Sequence, residues 1–144
     1  MEVRDKRVLY KMRIEAQLIT SFIVGLNYDE FVHNEVMKRA ITMTLANIGV
    51  LCSVLSDNIK IKYNDIPWAA IRKTRNVISH DYEAVDFKVI WKTVNVDIPI
   101  LIEKINAIEC DIGLELYGEV EREANYDEIM KAIKDADDTD DNGE

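Results

Sequence analysis

Residues 34–58 read NEVMKRAITMTLANIGVLCSVLSDN, and this stretch decides the fold. Met37, Ile41, Leu45, Ile48, Cys52 and Leu55 recur at steps of three and four, which places them on one face of a helix of 3.6 residues per turn. Asn34 has the short polar side chain that caps a helix N-terminus, and Asp57 with Asn58 marks the end. Working outward toward the N-terminus, Val8, Met12, Ile19, Phe22, Ile23 and Leu26 form a second stripe, stopped by Gly25 and Asn27. Each of these helices has one apolar face to bury. The turn around Tyr28 to His33 is short, so the two are expected to pair antiparallel.

Downstream, Ile59, Ile61 and Tyr63 alternate, but a single strand has no partner in a helical chain, so residues 58–64 are expected to form a loop. Asp65, Ile66 and Pro67 open a third helix, with Pro67 in the first turn where its missing N–H costs nothing. Asp86 caps a fourth, carrying Phe87, Ile90, Trp91 and Val94. Asp97 and Pro99 either kink that helix or restart it toward Ile108. The expectation is an all-α fold: an antiparallel bundle of four to five helices over residues 1–109, a helical extension over 110–134 interrupted by Gly113 and Gly118, and a disordered acidic tail over 135–144.

The 144 residues are 48% hydrophobic, enough for one domain with its own core. Residues 1–109 hold 15 Lys and Arg against 14 Asp and Glu, net +1, whereas residues 110–144 hold 3 against 13, net −10. The acidity therefore belongs to the C-terminal segment, and a near-neutral body can still carry a local basic site for phosphate. Cys52 and Cys110 form no CxxC and lie in apolar or helix-like surroundings, so they read as packed thiols in a reducing cytoplasm. Residues 1–13 mix charges of both signs, which argues against a secretory signal or a membrane span. His33 has no second ligand nearby, so no metal and no cofactor are expected.

If residues 68–80 are helical, Arg72, Arg75, Asn76, Ser79 and His80 share one stripe, while Ile71, Thr74, Val77 and Ile78 face the other way. Two guanidinium groups, an amide, a hydroxyl and an imidazole suit phosphodiester chemistry. Arginine grips phosphate through paired hydrogen bonds, and histidine exchanges protons near neutrality. Together they could move protons at the attacking and leaving oxygens and stabilise the transition-state charge without a metal. A solvated helix face has much the same composition, and spacing alone does not separate the two.

Read in order, Arg75-Asn76-Val77-Ile78-Ser79-His80-Asp81-Tyr82 resembles the RxxxxHxY signature of HEPN domains of the HepT kind. Ile66-Pro67-Trp68 is similar to the opening of the family's motif helix. Arg39-Ala40-Ile41, with Leu45 and Ile48-Gly49, resembles its second-helix pattern. Val85-Asp86, Val89-Ile90-Trp91, Asp97-Ile98-Pro99 and Leu101 continue the likeness, which spans roughly residues 5–108 and leaves the acidic segment outside.

The resemblance implies a HEPN bundle that forms homodimers and a toxin that cuts RNA without a metal. Arg75 and His80 take the catalytic positions, with Asn76 orienting or supporting them. Arg39, Arg72, Lys73 and Ser79 are weaker candidates for contacts to the RNA substrate. The resemblance further implies a cognate minimal nucleotidyltransferase antitoxin that transfers AMP to Tyr82. Two departures stand out: Val50 where the family commonly has an acidic residue, and Glu83-Ala84 where an aromatic residue and glycine often follow. A second function class is a non-catalytic scaffold subunit of a nucleotidyltransferase complex. The acidic tail is expected to solubilise the chain, or to compete with RNA or contact the antitoxin, which deletion of residues 135–144 tests.

Overall fold

A computed structural model of the chain describes residues 1–75 and 82–112 together with Lys131 and Lys134. Its helices are α1 (Val3–Ile23), α2 (Tyr28–Val32), α3 (Glu35–Val54), α4 (Asp57–Lys62), α5 (Trp68–Lys73), α6 (Phe87–Lys92) and α7 (Ile98–Ile112). No strand occurs among the described residues, and the fold is all-α as the periodicity predicts. The chain divides into a unit Met1–Ile108 and a unit Glu109–Glu144. The helical extension and acidic tail expected over residues 110–144 lie almost wholly outside the described residues.

In α1, Val8, Leu9, Met12, Ala16 and Ile19 are buried at helical spacing, and in α3 the same holds for Ile41, Leu45, Ile48 and Cys52. The helices run antiparallel because the start of one is tied to the end of the other. The Arg4 guanidinium donates to the Val54 carbonyl at 2.9 Å. Asp5, buried, accepts from the Ser56 amide at 3.0 Å and the Ser56 hydroxyl at 2.7 Å. Between the helices, Gly25 adopts φ 71°, a left-handed turn that only glycine enters freely.

Two short helices were not expected. The segment after Asn27 is α2 rather than a plain turn, because Asn27 and Glu30 form a reciprocal capping box: the Glu30 amide donates to the Asn27 side chain at 2.8 Å, and Glu30 accepts from the Asn27 amide at 3.3 Å. The helix buries Phe31 completely. Residues 57–62 form α4 rather than a loop. The alternation there does not track burial, since Ile59 is buried while Ile61 is 72% exposed. Asp57 in the first turn and Lys60 with Lys62 in the last complement the helix dipole.

The predicted caps are observed at Asn34, which accepts from the Met37 amide at 3.0 Å, and at Asp86, which accepts from the Lys88 amide at 3.0 Å. Pro67 stands at the N-cap of α5. Between α6 and α7, the choice between kink and restart resolves as a widened π turn over Thr93–Asp97 that leads directly into α7. Pro99 lacks an N–H and cannot make the regular bond four residues back, and a widened turn just before it accommodates that loss. Ile90, Val94, Ile98, Leu101, Ile105 and Ile108 are all buried, so the apolar stripe stays in phase through the turn. Lys104 on α7 pairs with Asp65 ahead of α5 at 2.8 Å. No helix among the described residues is long and apolar enough to cross a membrane.

Candidate active site

The entry to the motif is fixed by α5 lying against α3. The Cys52 thiol donates to the Trp68 carbonyl at 3.5 Å, and the Trp68 indole N–H donates to the Tyr63 carbonyl at 2.9 Å. The Thr74 hydroxyl, buried, shares its proton between the carbonyls of Leu45 on α3, at 2.9 Å, and Ile71, at 2.6 Å. The two backbones meet at Gly49, where a Cβ would stand 2.6 Å from the Arg75 amide nitrogen, 2.9 Å from Thr74 Oγ1 and 3.0 Å from Arg75 Cα. No side chain fits there, so glycine is what allows this approach. The consequence is that the Arg75 backbone is set on the C-terminal half of α3 while its side chain is exposed.

The other described end of the motif, Tyr82, is also set on α3, near its first turn. The chain re-enters through a 3-10 turn, Tyr82–Ala84. The Arg39 guanidinium lies over the Tyr82 ring, 4.3 Å from its centroid. The Tyr82 hydroxyl donates to Glu35 Oε2 at 3.5 Å, the long limit of such a bond. Glu35 in turn pairs with Lys38 at 2.8 Å and Arg39 at 3.6 Å. Lys38 sits over the Phe87 ring at 4.4 Å, and Phe87 meets Tyr82 edge to face at 5.5 Å. The ring contacts continue inward through Phe31, which meets Phe87 edge to face and stacks on Trp91 at 5.0 Å. Trp91 then meets Tyr28 at 6.2 Å. Such pairs contribute about 0.5–1.5 kcal/mol each beyond area burial, so the Tyr82 end rests on a packed aromatic series.

The electrostatics follow from these contacts. The Lys38 hydrogen bond holds the Glu35 carboxyl below its ordinary value, with the charges of Lys38 and Arg39 adding to it. Desolvation and the Glu35 charge push the Tyr82 phenol up. At neutral pH, Tyr82 is thus a protonated hydrogen-bond donor facing a carboxylate that two cations hold in place.

Of the residues singled out in the sequence, Arg75 and Tyr82 are both brought to α3. Arg72 and Lys73 end α5 with exposed side chains. Asn76, Ser79 and His80 lie outside the described residues, so most of the polar stripe over 75–80 does too. Arg39, read as a weak RNA contact, packs on Tyr82. The sequence reading missed Gly49, Thr74, Glu35, Lys38 and Phe87 as parts of the site. The Glu35 and Arg39 spacing of four was the available signal for an ion pair on the first turns of α3. His33 is an exposed cap of α2, bonded to the Asp29 carbonyl at 2.8 Å. No cluster of potential metal ligands occurs among the described residues. No disulfide joins Cys52 and Cys110, and of the two only Cys52 is buried. Cys110 is exposed because it falls off the buried stripe of α7, which is made by Ile98, Leu101, Ile105 and Ile108.

Against proteins of known family, residues 12–108 match the model described as Ribonuclease HepT-like. A candidate RNase of Methanocaldococcus jannaschii is 27% identical over 109 residues, which cover 75% of this chain and 100% of that protein. A second candidate RNase of the same organism is 30% identical over 113 residues, covering 78% of this chain and 93% of the relative. A candidate ribonuclease HepT of Thermococcus cleftensis is 31% identical over 85 residues, covering 59% and 77% of the two chains. No solved structure gives a significant match. The chain belongs to the HepT-like ribonuclease family, and the all-α bundle described above is its HEPN fold.

Proposed function

We propose that this protein is the toxin of a toxin-antitoxin pair, a metal-independent endoribonuclease neutralised when a nucleotidyltransferase antitoxin transfers AMP to Tyr82. Membership of the HepT-like ribonuclease family supports RNA cleavage in general. The observation that carries the finer reading is that both described ends of the RxxxxHxY run, Arg75 and Tyr82, are seated on one helix, α3. An ordinary solvated face has no need of a glycine contact at one end and a charged collar at the other.

In this reading the 2′-hydroxyl of RNA attacks the adjacent phosphorus. The O–P bond to the 5′-oxygen breaks, and a 2′,3′-cyclic phosphate forms. His80 handles the protons at the attacking and leaving oxygens, Arg75 braces the phosphate charge, and Asn76 supports them. Use of the 2′-hydroxyl restricts the reaction to RNA. Arg72, Lys73, Ser79 and Arg39 supply further contacts to the substrate. The setting is the reducing cytoplasm, and the active form is a homodimer. Val36, Met43 and Val50 stand exposed at intervals of seven on α3, the spacing of a helix-helix seam, which supports self-pairing.

The test is cleavage of total cellular RNA by purified protein in EDTA, with wild type beside His80→Ala and Arg75→Ala. Cutting by wild type alone, leaving cyclic phosphate ends, is the expected result. Intact RNA with unmodified wild type would move the scaffold reading ahead.

A further inference from the structure

We infer that Lys38 and Arg39 form a phosphate subsite that receives and then holds the nucleotidyl group on Tyr82, with Glu35 keeping the two cations in place beforehand. The inference rests on the proposal that Tyr82 is a nucleotide acceptor and adds the groups that bind the phosphate. Three observations carry it. Arg39 lies directly over the acceptor ring, at 4.3 Å. Glu35 accepts from the Tyr82 hydroxyl and binds both cations, at 2.8 and 3.6 Å. The trio of two cations and one carboxylate carries a net charge of +1, which the single negative charge of a phosphodiester neutralises.

In the transfer, the Tyr82 oxygen attacks the α-phosphorus of ATP brought by the nucleotidyltransferase, the new O–P bond forms, and the bond to the β-phosphate oxygen breaks. Pyrophosphate leaves, and the phenolic proton departs along its hydrogen bond to Glu35 and on to solvent. The new phosphodiester then stands beside Glu35, where two anions repel. Lys38 and Arg39 turn from the carboxylate to the phosphate oxygens, and the guanidinium can offer two donors at once. Packing of Lys38 on Phe87 and of Arg39 on Tyr82 orients both cations toward the acceptor in advance.

The experiment uses the full chain with its nucleotidyltransferase and ATP, comparing wild type, Arg39→Gln, Arg39→Lys and the double variant Lys38→Gln/Arg39→Gln. Modification of Tyr82 is followed by peptide mass. The modified proteins are then exposed to a phosphodiesterase, and the phosphorus NMR shift is recorded folded and unfolded. Arg39 is exposed, so the single variant keeps the test valid if the double variant fails to fold. Expected is release of AMP from Arg39→Gln at least about tenfold faster than from wild type, the loss of a charge-assisted hydrogen bond. Its phosphorus shift should also move toward the unfolded value, with partial rescue in Arg39→Lys. Equal release rates and equal shifts in modified wild type and Arg39→Gln overturn the subsite and leave Tyr82 as acceptor. Failure of wild type itself to be modified overturns the acceptor reading and the subsite together.

Discussion

The Arg75 backbone lies on Gly49 so closely that a Cβ on the glycine would stand 2.6 Å from the Arg75 amide nitrogen. Gly49→Ala must therefore push α5 away from α3 or strain the turn at Thr74. Overpacking of this kind costs about 1–3 kcal/mol. Urea unfolding should show that loss, and RNA cleavage measured where the variant is still folded should fall as well. A variant of wild-type stability and full cleavage would mean that the contact does not position Arg75.

Asp5 holds the N-terminal turn of α1 to the junction of α3 and α4 through two hydrogen bonds from Ser56. Asp5→Ala leaves the Ser56 amide without its acceptor in a partly buried place, and hydrogen bonds to a charged group contribute about 1.5–3 kcal/mol. Asp5→Asn keeps one carbonyl acceptor and should lose less. Chemical denaturation of the three proteins side by side checks the order.

The two thiols should separate sharply in reactivity. Burial pushes the Cys52 thiol up, whereas Cys110 is exposed. Because the thiolate is the reactive form, a thiol reagent at neutral pH should label Cys110 in the folded protein and Cys52 only on unfolding. Peptide mass after brief labelling reads this directly, and rapid labelling of Cys52 in the native state would contradict the packing of α3 on Trp68.

The Asp65–Lys104 pair predicts a pH dependence with a definite sign. Its hydrogen bond holds the Asp65 carboxyl below its ordinary 3.8 and raises Lys104 above its ordinary 10.5. The depressed carboxyl contributes stability above 3.8 that is lost as pH falls through its lowered value. The raised amine contributes below 10.5 and loses that contribution as pH climbs through its raised value. Melting temperature against pH should lose part of both limbs in Asp65→Asn. Since both groups face solvent, high salt should shrink the difference between wild type and variant. Glu35 is also held low, so Glu35→Gln should flatten the acid limb.

Much of the fold was legible because it rests on long amphipathic periods and on caps. The stripes of α1 and α3, Asn34 and Asp86 each express a local rule that the structure keeps. The short helices were harder. In α4 and its C-cap, the residues Ile59, Ile61 and Tyr63 mimic a strand period, and only the capping position of Ser56, tied to Asp5 in a distant part of the chain, reveals a helix. In the candidate site, Arg75 and Tyr82 are the described residues that the ordered motif singles out. Gly49, Thr74 and the Glu35–Lys38–Arg39 collar were not legible, because their part depends on contacts between segments far apart in sequence, such as Thr74 with Leu45 and Tyr82 with Glu35. Periodicity carries no information about such pairs.

Because the seats for Arg75 and Tyr82 belong to the same helix, α3 acts as a ruler for the motif. Arg39 and Gly49 are ten residues apart, about 15 Å along a helix axis. One residue inserted between them would lengthen the ruler by only about 1.5 Å but rotate one seat relative to the other by about 100°. The motif is therefore more sensitive to the phase of α3 than to its length, and changes in this helix that keep whole turns should be the ones a working site can absorb.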